Sequence, residues 1–287
     1  MRYVRGRLRL FHVSDLHFQA EAPPLRWLTL GWRRAFARAS YVVGGRRRLF
    51  LHVAETVQRL LVEAERLRAD HLLVTGDLTT LALPAEFEAA RAALSGWADR
   101  MTIIPGNHDR YTPDAGRGRY FEQAFGGLLG SALPELRAED EYPFVKLLGE
   151  EVAVVGLCSA RVPPSPGVAL GWVGEPQRRA LDAILRHPRL ENRAKVVLMH
   201  HGPFRRDGRP DHLRHGLRDA RAVLETAARA GAVAVCHGHI HHRYRVDGPG
   251  DLSIFCAGSS TQAGREGYWL YEVDRSGLKS AEAVTLR

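Results

Sequence analysis

Lysine is nearly absent from this chain. Lys146, Lys195 and Lys279 are three of 41 basic side chains, so arginine carries almost all of the positive charge behind a net +9. Such a charge admits an anionic partner, whether nucleic acid, phosphorylated small molecule or lipid headgroup. An arginine- and alanine-rich composition also follows from a GC-rich genome, so the charge by itself selects no partner. Cysteine is scarce too: Cys158, Cys236 and Cys256 are odd in number, lack CxxC spacing and each sit inside an apolar run. That pattern predicts reduced core thiols, not disulfides. No apolar run approaches the roughly 20 residues that cross a bilayer, which predicts a protein not integral to a membrane. The basic start Met1-Arg2-Tyr3-Val4-Arg5 is followed by a strand-like segment without a small-residue cleavage site, so a cytoplasmic protein is expected. Internal repeats, low-complexity tracts and any recognisable aromatic-basic nucleic-acid module are also missing, and no specific nucleic-acid partner is predicted.

What the chain does have is alternation. Short apolar runs at Leu8–Val13, His71–Val74, Met101–Ile104, Val152–Leu157, Lys195–Met199 and Ala232–Cys236 read as buried strands. Helical spacing fills the intervals at Leu49–Ala69, Pro84–Ala98, Glu175–His187 and Leu217–Ala230. Closely spaced strands at Tyr244–Val246, Leu252–Cys256 and Gly267–Val273 suggest an antiparallel finish. The reading is an α/β fold with mixed sheets. At 287 residues one domain or two would fit, and the unbroken alternation is read as a single domain over 1–287.

Polar residues gather where these strands end. Asp15 and His17 follow the first strand, Asp77 the second, Asn107 and His108 the third, His200 the fifth, and His239 and His241 the sixth. The C-terminal edge is where open α/β sheets bind ligands. Each residue alone is an ordinary strand exit, turn residue or hydrogen-bonded core histidine. Turns, however, have no reason to gather imidazoles and carboxylates on one edge of one sheet. Nitrogen and oxygen donors without thiolate suit Mn, Fe, Zn or Co better than Ca or Mg, and argue against a structural zinc site. A phosphodiester is anionic and resists nucleophiles; two such cations about 3.5–4 Å apart supply positive charge, a strong nucleophile at neutral pH and a hold on the leaving oxygen.

Asp15-Leu16-His17, Gly76-Asp77, Gly106-Asn107-His108-Asp109, His200 and Gly238-His239-Ile240-His241 stand in the order and spacing of the calcineurin-like metallophosphoesterase superfamily, which the chain resembles from residue 15 to 241. The resemblance implies a four-layer α/β/β/α sandwich of two mixed sheets with a dimetal site at the strand C-terminal ends. It implies two divalent transition-metal ions, Mn, Fe or Zn. Asp15, His17 and His241 would hold one, Asn107, His200 and His239 the other, with Asp77 bridging and His108 beside the substrate. His200 ends its strand directly and is taken as the ligand, with His201 as the alternative. Asp109 either orients His108 or caps the following turn. Thr80 stands where purple acid phosphatases carry a tyrosine ligand, and Leu78-Thr79-Thr80 lacks the second aspartate and the arginine of serine/threonine protein phosphatases.

The blocks look most like the bacterial branch with cyclic-nucleotide phosphodiesterases, glycerophosphodiesterases and UDP-diacylglucosamine pyrophosphatase type enzymes. That implies dimetal-dependent hydrolysis of a phosphodiester or pyrophosphate bond in a phosphorylated small molecule by a metal-bridging hydroxide. A nuclease would share the metal site, whereas a silent scaffold of the same fold would be expected to have lost a ligand.

From Pro23 to Val53 there is no acidic residue, and Arg26, Arg33, Arg34, Arg38, Arg46, Arg47 and Arg48 are interleaved with Trp27, Trp32, Phe36, Tyr41 and Phe50. Leu25, Leu28, Trp32 and Ala35 or Phe36 recur at helical spacing, which would leave Arg26, Arg33 and Arg34 off the apolar stripe. Residues 23–50 are expected to form an insertion that either caps the sheet or touches an anionic membrane surface, the latter placing the protein peripherally on the inner membrane face. His12, His52, His71, His187, His212, His215, His237 and His242 are expected in ordinary polar or capping roles.

Overall fold

The computed structural model describes residues 6–20, 31–212 and 214–286. The expectations for Met1–Arg5, and for Leu25, Arg26, Trp27 and Leu28 within the 23–50 segment, lie outside these residues. Two mixed sheets form the centre. The first runs β11-β10-β1-β2-β3, with β1 (Leu8–Val13), β2 (His71–Val74) and β3 (Met101–Ile103) parallel, and β10 (Gly267–Asp274) and β11 (Gly277–Thr285) closing it as an antiparallel pair. The second runs β4-β5-β6-β7-β9-β8. In it β5 (Val152–Gly156), β6 (Ala194–Leu198), β7 (Ala232–His237) and β9 (Ser253–Cys256) are parallel; β4 (Phe144–Leu148) and β8 (Tyr244–Asp247) flank them antiparallel.

Side-chain alternation builds the layers. In β5, Val152 and Val154 join the large core shared with Leu10, Leu72 and Ile103 of the first sheet, while Ala153 and Val155 face the other way. There they meet Leu181, Ile184 and Leu185 of α6 (Glu175–Leu185) and Val223, Leu224 and Ala227 of α7 (Ala220–Arg229). Strands buried on both faces in this way have the near-continuous apolar sequences that made them legible. On the first sheet, α2 (Val53–Arg66) buries Val53, Val57, Leu60 and Ala64 at three- and four-residue spacing, and α3 (Pro84–Leu94) buries Phe87, Ala90 and Leu94; the short α4 (Pro113–Arg117) and α5 (Tyr120–Phe125) follow β3. The result is the expected sandwich of two mixed sheets between helical layers. No helix among the described residues is long and apolar enough to cross a membrane.

Several features differ from the sequence reading. The edge strand β4 was not anticipated, nor was β11, most of whose side chains are exposed or half-buried. An edge strand of that kind lacks an apolar alternation, and Lys279 and Glu282 on it discourage pairing with another chain. The helix expected from Leu49 begins at Val53, after a 3₁₀ turn over Arg46–Phe50.

The largest departure is α1 (Trp32–Val43), where the expected stripe is reversed. Trp32 and Phe36 are 66% and 55% exposed, while Arg34 is 5% exposed. The Arg34 guanidinium donates to the carbonyls of Leu81 (2.9 Å) and Ala82 (3.0 Å) and to Asp114 (2.8 Å). Next to it, Arg33 donates to the carbonyls of Pro163 (2.7 Å) and Pro164 (2.9 Å). Arginine is anchoring the helix by its planar fork of donors, and the apolar spacing does not decide its inward face.

Candidate metal centre

The strand ends converge as the sequence implied. Asp15, His17, Asp77 and His239 take left-handed backbone angles, with φ of 52°, 56°, 53° and 70°. Non-glycine residues rarely sit there, and four in one place mark a backbone strained to aim side chains inward. Two glycines make room for the carboxylates. A Cβ on Gly106 would collide with the Asp77 side chain, and one on Gly238 with Ser14 and Asp15.

The inward atoms fall into two groups sharing Asp77. In the first, His241 Nε2 lies 3.3 Å from Asp15 Oδ1 and 3.3 Å from His17 Nε2, and His17 Nε2 lies 3.9 Å from Asp77 Oδ2. In the second, His200 Nε2 lies 3.3 Å from Asp77 Oδ1 and 3.1 Å from Asn107 Oδ1, which is also 2.9 Å from His239 Nδ1. Each oxygen of Asp77 thus addresses a different half. His200, not His201, reaches the centre; His201 Nδ1 turns to the Ser159 hydroxyl at 2.9 Å.

Every candidate ligand imidazole has an acceptor behind it. His17 Nδ1 faces the Thr79 carbonyl (3.3 Å), His200 Nδ1 the Thr75 carbonyl (2.6 Å), His239 Nε2 the His215 carbonyl (2.8 Å) and His241 Nδ1 the Gln262 side-chain oxygen (2.9 Å). Outward nitrogens that donate to these oxygens leave bare lone pairs pointing inward, the tautomer that metal ligands need. Asp15 Oδ1, buried and without a hydrogen-bond partner, points into the same space. Converging acceptors of this kind require positive charge between them.

The buried carboxylates also act on the protonation of these imidazoles. Burial opposes the His200 imidazolium, yet the Asp77 carboxylate raises it to about 9. Burial likewise opposes His241, which Asp15 raises. One raised imidazole therefore sits in each half. Burial, then the neighbouring His108, lower His17 to about 3, and burial with His201 pushes His239 well below the usual range. Burial would lift the Asp77 carboxyl, but His200 and His108 hold it well below its usual value. The donor set fits two cations: Asp15, His17 and His241 around one, Asn107, His200 and His239 around the other, and Asp77 between them.

His108 stands beside this set, half-buried, its ring edge-on to His17 with centroids 4.9 Å apart. Asp109 does not meet it as an orienting partner. Its carboxylate accepts the N–H groups of Gly106 (2.8 Å), Thr79 (3.0 Å) and Leu78 (3.3 Å) and the Thr79 hydroxyl (2.9 Å). Nor does it cap the turn that follows it, so neither reading of Asp109 is what these bonds form: they make a clasp between the loops after β2 and β3. Burial and the Asp77 charge raise it to about 6. Sequence reasoning missed Gln262, whose partner lies 21 positions away, and His215, both of which touch the ligand set only through the fold.

The calcineurin-like phosphoesterase family profile matches residues 8–243. No curated protein matches the chain in sequence. Among solved structures, a dimetal phosphatase from Danio rerio superposes with a TM-score of 0.65 at 12% identity, covering 98% of this chain and 99% of that one. A Thermus thermophilus protein gives 0.55 at 12% identity, covering 98% and 100%. A purple acid phosphatase from yellow lupin gives 0.60 at 11% identity, covering 94% of this chain and 50% of its own. At such identities the likeness establishes the fold.

Proposed function

Because this chain belongs to the calcineurin-like phosphoesterase family, we propose that it hydrolyses a phosphodiester or pyrophosphate bond in a small molecule, using two divalent transition-metal ions held by Asp15, His17, Asp77, Asn107, His200, His239 and His241. Metal-dependent phosphoester hydrolysis is the chemistry of the family, and candidate ligand clusters for it are present. The single observation that carries the proposal is Asp77, whose two oxygens face separate imidazole groups. When bound, such cations provide Lewis acidity and a strong nucleophile at neutral pH. The chain's own part is to orient and to move a proton. His108 donates its Nδ1 hydrogen to the Thr80 carbonyl at 2.7 Å, so it is the doubly protonated ring that would pass a proton from Nε2 to the leaving oxygen, itself becoming neutral. Thr80, at the position of the purple acid phosphatase tyrosine, turns its hydroxyl to the His17 carbonyl at 3.1 Å and offers no phenolate.

The test is hydrolysis by protein loaded with Mn, Fe or Zn. Bis(4-nitrophenyl) phosphate and a nucleoside diphosphate ester should be cleaved faster than 4-nitrophenyl phosphate. Activity confined to the monoester would overturn the proposal.

A second reading, hydrolysis of a lipid-linked pyrophosphate at an anionic membrane surface, is favoured by one region. A cavity of about 730 Å³ is walled by Phe18, Tyr41, Phe50 and Leu81 together with Arg38 and Arg47. Phe50 in its wall packs edge-on against His17, with centroids 4.9 Å apart. Trp32, Phe36, Val42, Val43 and Leu51 are exposed close by in sequence. On this reading the protein cosediments with anionic vesicles at low salt, and replacing Arg46-Arg47-Arg48 by serine weakens the binding. Vesicle binding that is absent, or indifferent to those arginines, leaves the soluble substrate. A cytoplasmic location accompanies either reading.

A further inference from the structure

Two hydrogen-bond donors stand outside the ligand set, on the side of His108. The rings step outward from the first half of the centre: His17 meets His108 edge-on at 4.9 Å, and His108 lies nearly parallel to Tyr111, with centroids 6.0 Å apart and planes 13° apart. Tyr111 is half-buried, and among the described residues its hydroxyl has no hydrogen-bond partner.

Three segments meet beside it. Arg34 of α1 donates to Asp114 of α4 at 2.8 Å, its neighbour Arg33 donates to the carbonyls of Pro163 and Pro164 at 2.7 and 2.9 Å, and a Cβ on Gly116 would strike Val162. The Arg33 guanidinium is thereby fixed in position, 5.5 Å from the centre of the Trp32 ring. Burial raises the Tyr111 phenol above its usual value, and the charge that works against burial is that of Arg33. Among the described residues no carboxylate pairs with Arg33. An arginine oriented by two carbonyls keeps its charge unneutralised, and a phenol holds its hydrogen at neutral pH and can donate it. Both suit an anionic acceptor next to His108. His108 is the group assigned to the leaving oxygen, so a donor beyond it meets the leaving group and not the phosphoryl group under attack.

We propose that Tyr111 is a further specificity-determining residue, whose hydroxyl donates to an oxygen of a departing phosphate while the fixed charge of Arg33 faces the same group. The inference rests on the reading above and narrows it: the bond cleaved is a pyrophosphate. Water supplies the entering oxygen, and the bond from the attacked phosphorus to the bridging oxygen breaks. The bridging oxygen keeps the electron pair and takes the His108 proton, which solvent replaces as it receives the one that water gives up. Negative charge grows on the departing phosphate in the transition state, so a hydrogen bond to it strengthens as the bond breaks. An aryl leaving group brings no phosphate oxygen to the phenol.

Two thymidine esters test it with the metal-loaded enzyme: thymidine 5′-(4-nitrophenyl phosphate) and the methyl ester of thymidine 5′-diphosphate. Both yield thymidine 5′-phosphate, followed by chromatography; one expels nitrophenolate and the other methyl phosphate. Tyr111→Phe keeps the ring against His108 and removes only the hydroxyl. Its kcat/KM should fall about tenfold or more further on the diphosphate than on the nitrophenyl ester, the loss expected of a hydrogen bond to a charged group. Arg33→Gln should lower the same ratio, and a ratio it leaves unchanged overturns the part assigned to Arg33. Wild-type cleavage of the nitrophenyl ester alone, or a ratio unchanged in Tyr111→Phe, overturns the inference and leaves the phosphodiesterase reading intact. Cleavage of neither ester overturns that reading itself.

Discussion

His108 and Thr80 are joined by a hydrogen bond of 2.7 Å from the imidazole Nδ1 to the backbone carbonyl. The bond occupies Nδ1 and leaves Nε2 free, and on the reading proposed above the doubly protonated ring passes its Nε2 hydrogen to the leaving oxygen. His108→Ala should therefore keep both metals and lower turnover by about 10²-fold or more. The loss should be larger for alkyl than for nitrophenyl leaving groups. Steady-state kinetics on both ester types with metal analysis of the variant check this; equal losses would remove the leaving-group role.

Asp77 faces both halves of the centre. Asp77→Asn removes a charge and one ligating oxygen, so the variant should retain at most one ion per chain and lose diesterase activity. Inductively coupled plasma analysis after gel filtration gives the stoichiometry. Two retained ions in an active variant would contradict the bridging assignment.

Asp109 ties three backbone N–H groups and a hydroxyl together in the interior. Asp109→Ala leaves these donors unsatisfied and should cost about 3 kcal/mol of stability. Its activity loss should follow metal affinity and be the same for good and poor leaving groups, unlike that of His108→Ala. Denaturant unfolding with the same pair of kinetic assays separates the two residues.

Glu86 gives a pH dependence away from the metals. Its carboxyl, which accepts the N–H groups of Leu81, Leu83 and Ala20, is raised by burial from 4.5 to about 7. A carboxyl raised on folding contributes stability that is full below its unfolded value and is lost as pH rises through the folded one. The wild type should therefore lose stability relative to Glu86→Gln between about pH 4.5 and 7, by on the order of 3 kcal/mol in all. Urea unfolding of both proteins across that range measures the difference, in which other titrating groups largely cancel. A difference that does not change with pH would show that the carboxyl is not raised.

How much of this was legible depends on the kind of information each feature carries. Strands β1 and β2 were bounded to the residue, because buried parallel strands are continuous apolar runs and their ends are marked by Asp15 and Asp77. The candidate residues could be collected from their places after the strands, because parallel strands deliver their ends to one edge, but they come from β1, β2 and β3 of one sheet and β6 and β7 of the other, not from one sheet as expected. Residue types and donor chemistry were thus written in the chain, whereas the two-sheet sandwich and the division of the residues between two ions were implied by the family resemblance. Other features were decided only in three dimensions. The groups behind the imidazoles are mostly main-chain carbonyls, at Thr75, Thr79, Thr80 and His215, and a carbonyl has no sequence signature. Arg34 lies inside because Leu81, Ala82 and Asp114 place acceptors against it, whereas its local spacing assigned it to the surface. His215 looked like one more scattered histidine, and became a neighbour of His239 only when the chain between β6 and α7 folded back over the end of β7. Spacing specifies which residues share a face; which face meets which partner is set by the packing of segments far apart in the chain.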